Sequence, residues 1–181
     1  MTILDSPTIS GLKLLKPTLF NDERGYFFES YNSETFKKLG ICDDFLQDNQ
    51  SCSKKNVIRG LHFQVPPFAQ AKLVRVVKGA ALDVAVDLRK DSATYGQYFS
   101  VLLSEENKLQ FYIPEGFAHG FAVLEENTIF AYKCSNIYHK ESERTILFND
   151  IDFNIDWQIS NPIVSEKDLQ GIRFKDFITP F

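Results

Sequence analysis

A histidine in an apolar stretch is the first residue of this sequence with chemistry to offer: His62 stands in Val57-Ile58-Arg59-Gly60-Leu61-His62-Phe63-Gln64, two residues after a glycine. On a strand its ring points to one face. A neutral imidazole oriented by a carboxylate is a general base near neutral pH, and a phenol can return a proton from the opposite side. A lysine ammonium stabilises an oxyanion that develops beside it, a role in which one donor is typically worth roughly 2.7–4 kcal/mol. The chain offers each kind of partner: Lys72 in Lys72-Leu73-Val74-Arg75, the phenols Tyr132 and Tyr138, and the carboxylates Asp83 and Asp168. Together these are the parts that proton abstraction beside a carbonyl needs. A core histidine with a satisfied hydrogen bond is the competing account of His62, and a lysine at the wet end of a strand is that of Lys72.

The second histidine, His119, lies in Ile113-Pro114-Glu115-Gly116-Phe117-Ala118-His119-Gly120-Phe121, a setting that favours a ring facing a cavity. His139, in Tyr138-His139-Lys140-Glu141, reads as surface and is given no role. A metal site in a barrel wants two histidines one residue apart, with a carboxylate and a distant histidine, because a period-2 strand aims both rings inward. Here Gln64 follows two after His62 and Phe121 two after His119, so no metal is expected. No two glycines lie two apart and Gly116–Gly120 does not lead into Gly-Lys-Ser/Thr, which removes the dinucleotide fingerprint and the P-loop. The hydrolase nucleophile elbow is absent as well.

The elements that must position these groups are strands. Seventeen Phe and seven Tyr among 181 residues favour extended structure, and the length suits one domain with a real core. Candidate strands follow one another at Lys13–Phe20, Tyr26–Tyr31, Phe45–Ser51, Val57–Gln64, Ala71–Val77, Ala80–Leu88, Gln97–Leu103, Gln110–Ile113, Gly120–Leu124, Ile129–Ser135 and Thr145–Phe148. Turn signals separate them, among them Asn21–Gly25, which implies sheet on sheet or a closed barrel. Asn32–Leu39 is the one sizeable helix predicted before the C-terminal region, capped by Asn32 or Ser33 and ended by Gly40. From Ile151 the tail is expected to wrap the outside. Two patterns stay open at this level. Asp83, Ala85 and Asp87 share a face that is either solvated or the interior of a small barrel. Arg59 and His62 point to opposite faces of a regular strand, so serving one pocket together requires a bulge at Gly60.

The net charge of −4, with 24 acidic against 20 basic side chains, removes the footprint of nucleic-acid binding. An anionic ligand would have to be met by local cations. No uncharged stretch is long enough to span a bilayer and Met1–Ser10 lacks a signal layout, so a cytoplasmic protein without a membrane partner is expected. Cys42, Cys52 and Cys134 are odd in number and read as small buried apolar residues.

The segments Asp22-Glu23-Arg24-Gly25-Tyr26-Phe27-Phe28-Glu29, Gln47-Asp48-Asn49-Gln50-Ser51, Arg59–Gln64, Lys72–Val76, Asp83–Asp87, Ile113–Phe121, Ser142-Glu143-Arg144, Asn149-Asp150, Ile155-Asp156-Trp157 and Ser165-Glu166-Lys167-Asp168 occur in one order. In that order, over nearly the whole chain, they resemble the dTDP-4-dehydrorhamnose 3,5-epimerase family. The resemblance implies an all-β fold with a few short helices, the double-stranded β-helix or cupin jelly roll. It further implies a single domain over 1–181 that works as a homodimer on a nucleotide-sugar, with no cofactor and no metal. It makes His62 the base that removes protons next to the C4 ketone of dTDP-4-dehydro-6-deoxy-D-glucose, Asp168 its partner, Tyr132 the proton donor and Lys72 the group facing the enolate oxygen. Arg59 and His119 then contact the nucleotide-sugar and Tyr138 stacks on it, with Arg24, Glu29, Gln47, Asp48, Asn49, Glu143 and Lys167 as further binding positions. The segment carrying Arg24 and Glu29 would reach across the dimer, so that each site is shared. Relatives that epimerise one carbon or shift the ketone to C3, and a non-catalytic sugar-nucleotide-binding cupin, are the alternatives; a metal-dependent cupin oxygenase ranks last for want of the His-x-His pair.

Overall fold

The computed structural model describes residues 1–4 and 8–181. Its strands are β1 (Thr2–Ile3), β2 (Lys13–Lys16), β3 (Phe20–Asp22), β4 (Gly25–Phe27), β5 (Gln47–Ser53), β6 (Val57–Gln64), β7 (Lys72–Lys78), β8 (Ala80–Asp87), β9 (Tyr98–Ser104), β10 (Gln110–Ile113), β11 (Phe117–Val123), β12 (Thr128–Cys134), β13 (Glu143–Thr145) and β14 (Ile163–Val164). Two short helices, α1 (Ser33–Lys38) and α2 (Glu166–Leu169), complete the regular structure with two 3₁₀ turns. β6 and β10 have the bounds that alternation predicts. The expected Gly120–Leu124 begins earlier, at Phe117, and the expected Thr145–Phe148 becomes β13, two residues upstream. The Asn21–Gly25 turn proves to be the tip of a small hairpin, β3–β4, in which Asp22 Oδ1 accepts from the Arg24 amide at 2.9 Å. That local carboxylate cap closes the tip; each strand is three residues long, and β4 stops at Phe27, short of the predicted Tyr26–Tyr31.

Six strands pair in the order β1-β2-β10-β7-β12-β5 and five in the order β13-β6-β11-β8-β9, with β14 added in parallel to β6. β13 pairs with residues 62–64 of β6 and β14 with residues 57–58, so two short strands share one edge of β6. The sheets face each other over Val74, Val76, Phe111, Ile113 and Phe130 on one side and Ala81, Ala85, Leu103, Phe117, Phe121 and Val123 on the other. This is the jelly roll, or double-stranded β-helix. Asp83 and Asp87 share the inward face with Ala81 and Ala85 and are fully buried, so the polar face of β8 lines the barrel interior. The outward residues Leu82, Val84 and Val86 are covered by Ile146, Phe148, Phe153 and Trp157, with Phe177 and Phe181 packed beside them. The tail therefore wraps that sheet as predicted.

Over the other sheet, Leu15, Leu73 and Tyr112 are capped by Phe36 of α1 and by Ile41. Asn32 caps α1 by accepting from the Glu34 and Thr35 amides, and Gly40 leaves the helix at φ +72°. Cys134 is buried, but Cys42 and Cys52 are exposed, against the expectation for all three. Cys52 alternates with Ser51 and Ser53 on β5, and it is the serines that turn inward.

Candidate active site

The site begins with a mismatch in length. Across β6 and β11 the pairs are His119 with His62 and Phe121 with Arg59, three steps on one strand against two on the other. The extra residue is a bulge at Gly60, whose φ is +123°. A Cβ on Gly60 would stand 2.5 Å from Gly120 Cα and 2.7 Å from the His119 carbonyl, so only glycine fits. The bulge brings Arg59 and His62 to one cleft of about 250 Å³, where they meet Ser51, Lys72, His119, Phe121, Tyr132 and Glu143.

His62 Nε2 lies 2.5 Å from Asp168 Oδ1. Asp168 Oδ2 also accepts from the Gly60 amide at 3.3 Å, so one carboxylate holds both the bulge and the ring. Burial alone would raise the Asp168 carboxyl, but its hydrogen bond and charge attraction to His62, with the Gly60 and Ser165 bonds, hold it below the usual carboxylate range. An ionised carboxylate only accepts, so in the neutral ring the hydrogen resides on Nε2 and Nδ1 keeps a free lone pair. Ser165 caps α2 by accepting from the Asp168 amide, which places this carboxylate in the first turn of a four-residue helix.

Lys72 opens β7 and is nearly buried, with Nζ 3.3 Å from the His62 carbonyl. Burial lowers its pKa, opposed by the negative fields of Cys134, Asp83 and Glu143. His119 places Nε2 3.0 and 3.1 Å from the two oxygens of Asp83, and burial lowers its pKa despite that carboxylate. Burial pushes the Tyr132 phenol up, so it holds its proton at neutral pH. At the rim, Tyr138 Oη donates to Glu143 Oε2 at 3.0 Å, and Lys167 Nζ pairs with Glu143 Oε1 at 2.5 Å. Burial would raise Glu143, but these two partners hold it low. Gln47 and Asn49 face the same region from β5, joined by a 3.0 Å bond.

Three sequence-predicted positions lie elsewhere in the single chain. Arg24 is at the hairpin tip, its side chain 85% exposed and paired with Asp22. Glu29 accepts from Nδ2 of Asn32, the residue whose Oδ1 caps α1. Asp48 alternates with Gln47 and Asn49 and so points to the outer face, where it binds Lys133 at 2.7 Å. Sequence reasoning leaves out Ser51, whose buried hydroxyl has no partner among the described residues, Ser53, which accepts from Arg59 Nε at 3.2 Å, and Cys134, which lines the site beside Tyr132. The period-2 pattern from Gln47 and Asn49 onto Ser51 and Ser53 carries that signal. His139 is not a bystander: its ring stacks on Phe68 at 3.9 Å and its Nδ1 lies 2.9 Å from Ser142 Oγ.

What the barrel holds at its mouth is machinery for taking a proton and giving one back, which defines the class: an acid–base isomerase on a jelly-roll scaffold. The family model described as dTDP-4-dehydrorhamnose 3,5-epimerase matches residues 6–176, and the chain belongs to that family. It is 53% identical over 170 residues to dTDP-4-dehydrorhamnose 3,5-epimerase of Salmonella typhimurium, with 93% of each chain covered. The solved structure of the enzyme of that name from Elizabethkingia anophelis superposes with a TM-score of 0.92 at 51% identity, covering 97% of both chains. That of dTDP-6-deoxy-D-glucose-3,5-epimerase from Legionella pneumophila, in complex with dTDP-4-keto-L-rhamnose, gives 0.94 at 45% identity, covering 98% of this chain and 94% of that one.

Proposed function

We propose that this protein inverts C3 and C5 of dTDP-4-dehydro-6-deoxy-D-glucose to give dTDP-4-dehydro-L-rhamnose. The observation that carries the reading is that His62 rises from β6 of one sheet and Tyr132 from β12 of the other, both into one cleft. Inversion needs removal of a proton from one face of a carbon and return to the opposite face. The C4 ketone acidifies the neighbouring C–H bonds; the free Nδ1 of His62 takes a proton and the electron pair moves onto the ketone oxygen. Lys72, poorly hydrated and cationic, lies beside His62 to receive that charge. Tyr132 donates to the far face, and exchange with solvent resets acid and base before the second carbon reacts. Each step uses the chain's own groups.

Arg59 and Lys167 are the cations within reach of a diphosphate, and Tyr138, exposed at the rim, is the platform for the nucleotide base. His119 contacts the nucleotide-sugar; Gln47, Asn49 and Glu143 are further binding positions, whereas Asp48, on the outer face, is not one. The chain acts as one domain in a cytoplasmic homodimer, with Arg24 and Glu29 delivered to the site of a partner subunit. The hairpin that carries Arg24 supports this, because Phe20, Tyr26 and Phe27 on it are 56–67% exposed.

Turnover in heavy water tests the reaction. Deuterium is expected at both C3 and C5. Label at C3 alone, or a 3-keto product, would assign one of the related isomerisations, and no exchange at either carbon would sink the proposal.

A further inference from the structure

We infer that Gln64 is a positioning residue for nucleotide recognition: its side-chain amide fixes the backbone on both sides of Tyr138 and so sets the aromatic ring at the mouth of the cleft. This rests on Tyr138 being the platform proposed above. Gln64 ends β6, two residues after His62, and is 4% exposed. Its Nε2 donates to the Ile137 carbonyl at 3.1 Å and to the Phe68 carbonyl at 2.7 Å, while its Oε1 accepts from the His139 amide at 2.7 Å. Between those two anchor points, the Tyr138 amide donates to Gln47 Oε1 at 2.7 Å. Three successive backbone groups around Tyr138 are therefore held by two glutamines, one from each sheet.

Among the described residues no strand pairs with this stretch, so the glutamines supply what a ladder would. Tyr138 is itself 53% exposed, and its hydroxyl bond to Glu143 is its one side-chain anchor among the described residues. Its direction is consequently set by the backbone beneath it. The stack of His139 on Phe68 and the 2.7 Å bond from Gln70 Nε2 to the Asn136 carbonyl tie the same two loops together, but neither bonds the backbone beside Tyr138. With both Nε2 hydrogens and Oε1 engaged by backbone, Gln64 acts on a ligand through Tyr138. An aromatic surface ordered before the ligand arrives spares the cost of ordering it on binding.

The test is a double-mutant cycle with Gln64→Met, which keeps length and removes the three bonds, and Tyr138→Ala, read by calorimetric titration with dTDP and by steady-state turnover. Gln64→Met is expected to weaken dTDP binding and raise KM about tenfold, with kcat within about threefold of wild type and an unchanged pH profile. In the Tyr138→Ala background the same change should alter affinity by less than about twofold. An equal effect in both backgrounds overturns the inference, as does a loss of kcat with dTDP affinity intact. If Tyr138→Ala alone binds dTDP like wild type, the platform reading fails and the inference with it. Gln64→Glu, which keeps the acceptor for His139 but loses both donors, covers the case of a Met variant that does not fold. It too should weaken dTDP, and wild-type affinity would count against the latch.

Discussion

His62 keeps one ring nitrogen for chemistry because Asp168 occupies the other. An Asn at 168 would offer an amide donor to Nε2 and move the ring hydrogen to Nδ1, so Asp168→Asn is expected to lower kcat on the order of 10²–10⁴-fold. His62→Ala should fall in the same range while dTDP affinity, read by titration, is largely kept. Intact turnover in either variant would show that the base is elsewhere. The alkaline side of the profile belongs to Lys72. Its pKa is lowered, so the ammonium loses its charge earlier as pH rises than an exposed lysine would, whereas the raised Tyr132 phenol still holds its proton. A kcat profile falling on the alkaline side, moved to higher pH by Lys72→Arg, is the expected result; a limb that stays put would assign the titration to another group. Asp87 makes a separate prediction about stability. Burial opposes its ionisation, but Arg89, Ser92 and Thr94 bind the carboxylate and bring its pKa down to about 2. A folded value below the unfolded one gives stability that is present at neutral pH and lost as pH falls from about 5 towards 2, here about 2 kcal/mol. Asp87→Asn should melt lower at pH 7 and flatten the acid limb of stability against pH.

Among the elements, β6 carries the most consequence, because its bulge decides which side chains share the cleft. Gly60→Ala puts a Cβ against Gly120 Cα at φ +123°, a cost of about 1–3 kcal/mol that amounts to a few degrees or more in Tm for a chain of this size. Turnover should fall further than stability explains, since the strand can relax only by turning Arg59 or His62 away; a folded, fully active variant would contradict this account. The need for the bulge is legible in the amino-acid sequence, as a conflict of parity between Arg59 and His62 around a glycine. Alternation likewise marks β6 and β10 to the residue and groups Asp83 with Asp87, but it does not say whether that face is wet. That answer depends on which segments cover each sheet, a matter of tertiary packing that a period of two does not encode. For the same reason composition misplaces Cys42 and Cys52, and Gln64 registers only as a missing histidine. His139 reads as surface because its stacking partner, Phe68, comes from a loop about 70 residues away in sequence.

At the scale of the molecule, the single chain leaves its proposed site without Arg24 and Glu29 and leaves three aromatic side chains on an exposed hairpin. A homodimer with shared sites answers both, and subunit exchange checks it. Mixing Arg24→Ala with His62→Ala protein should regain about a quarter of wild-type turnover, because half of randomly exchanged dimers are hybrids and each hybrid holds one intact site. Exchange without recovery would confine each site to one chain. The parallel strand β14 and the short helix after it have a consequence in time. Asp168 follows His62 by 106 residues. A chain leaving the ribosome can pair β5 through β12 long before that carboxylate emerges. The nascent barrel thus passes through a stage in which its base has no fixed tautomer, and catalysis waits on a segment made after the barrel strands.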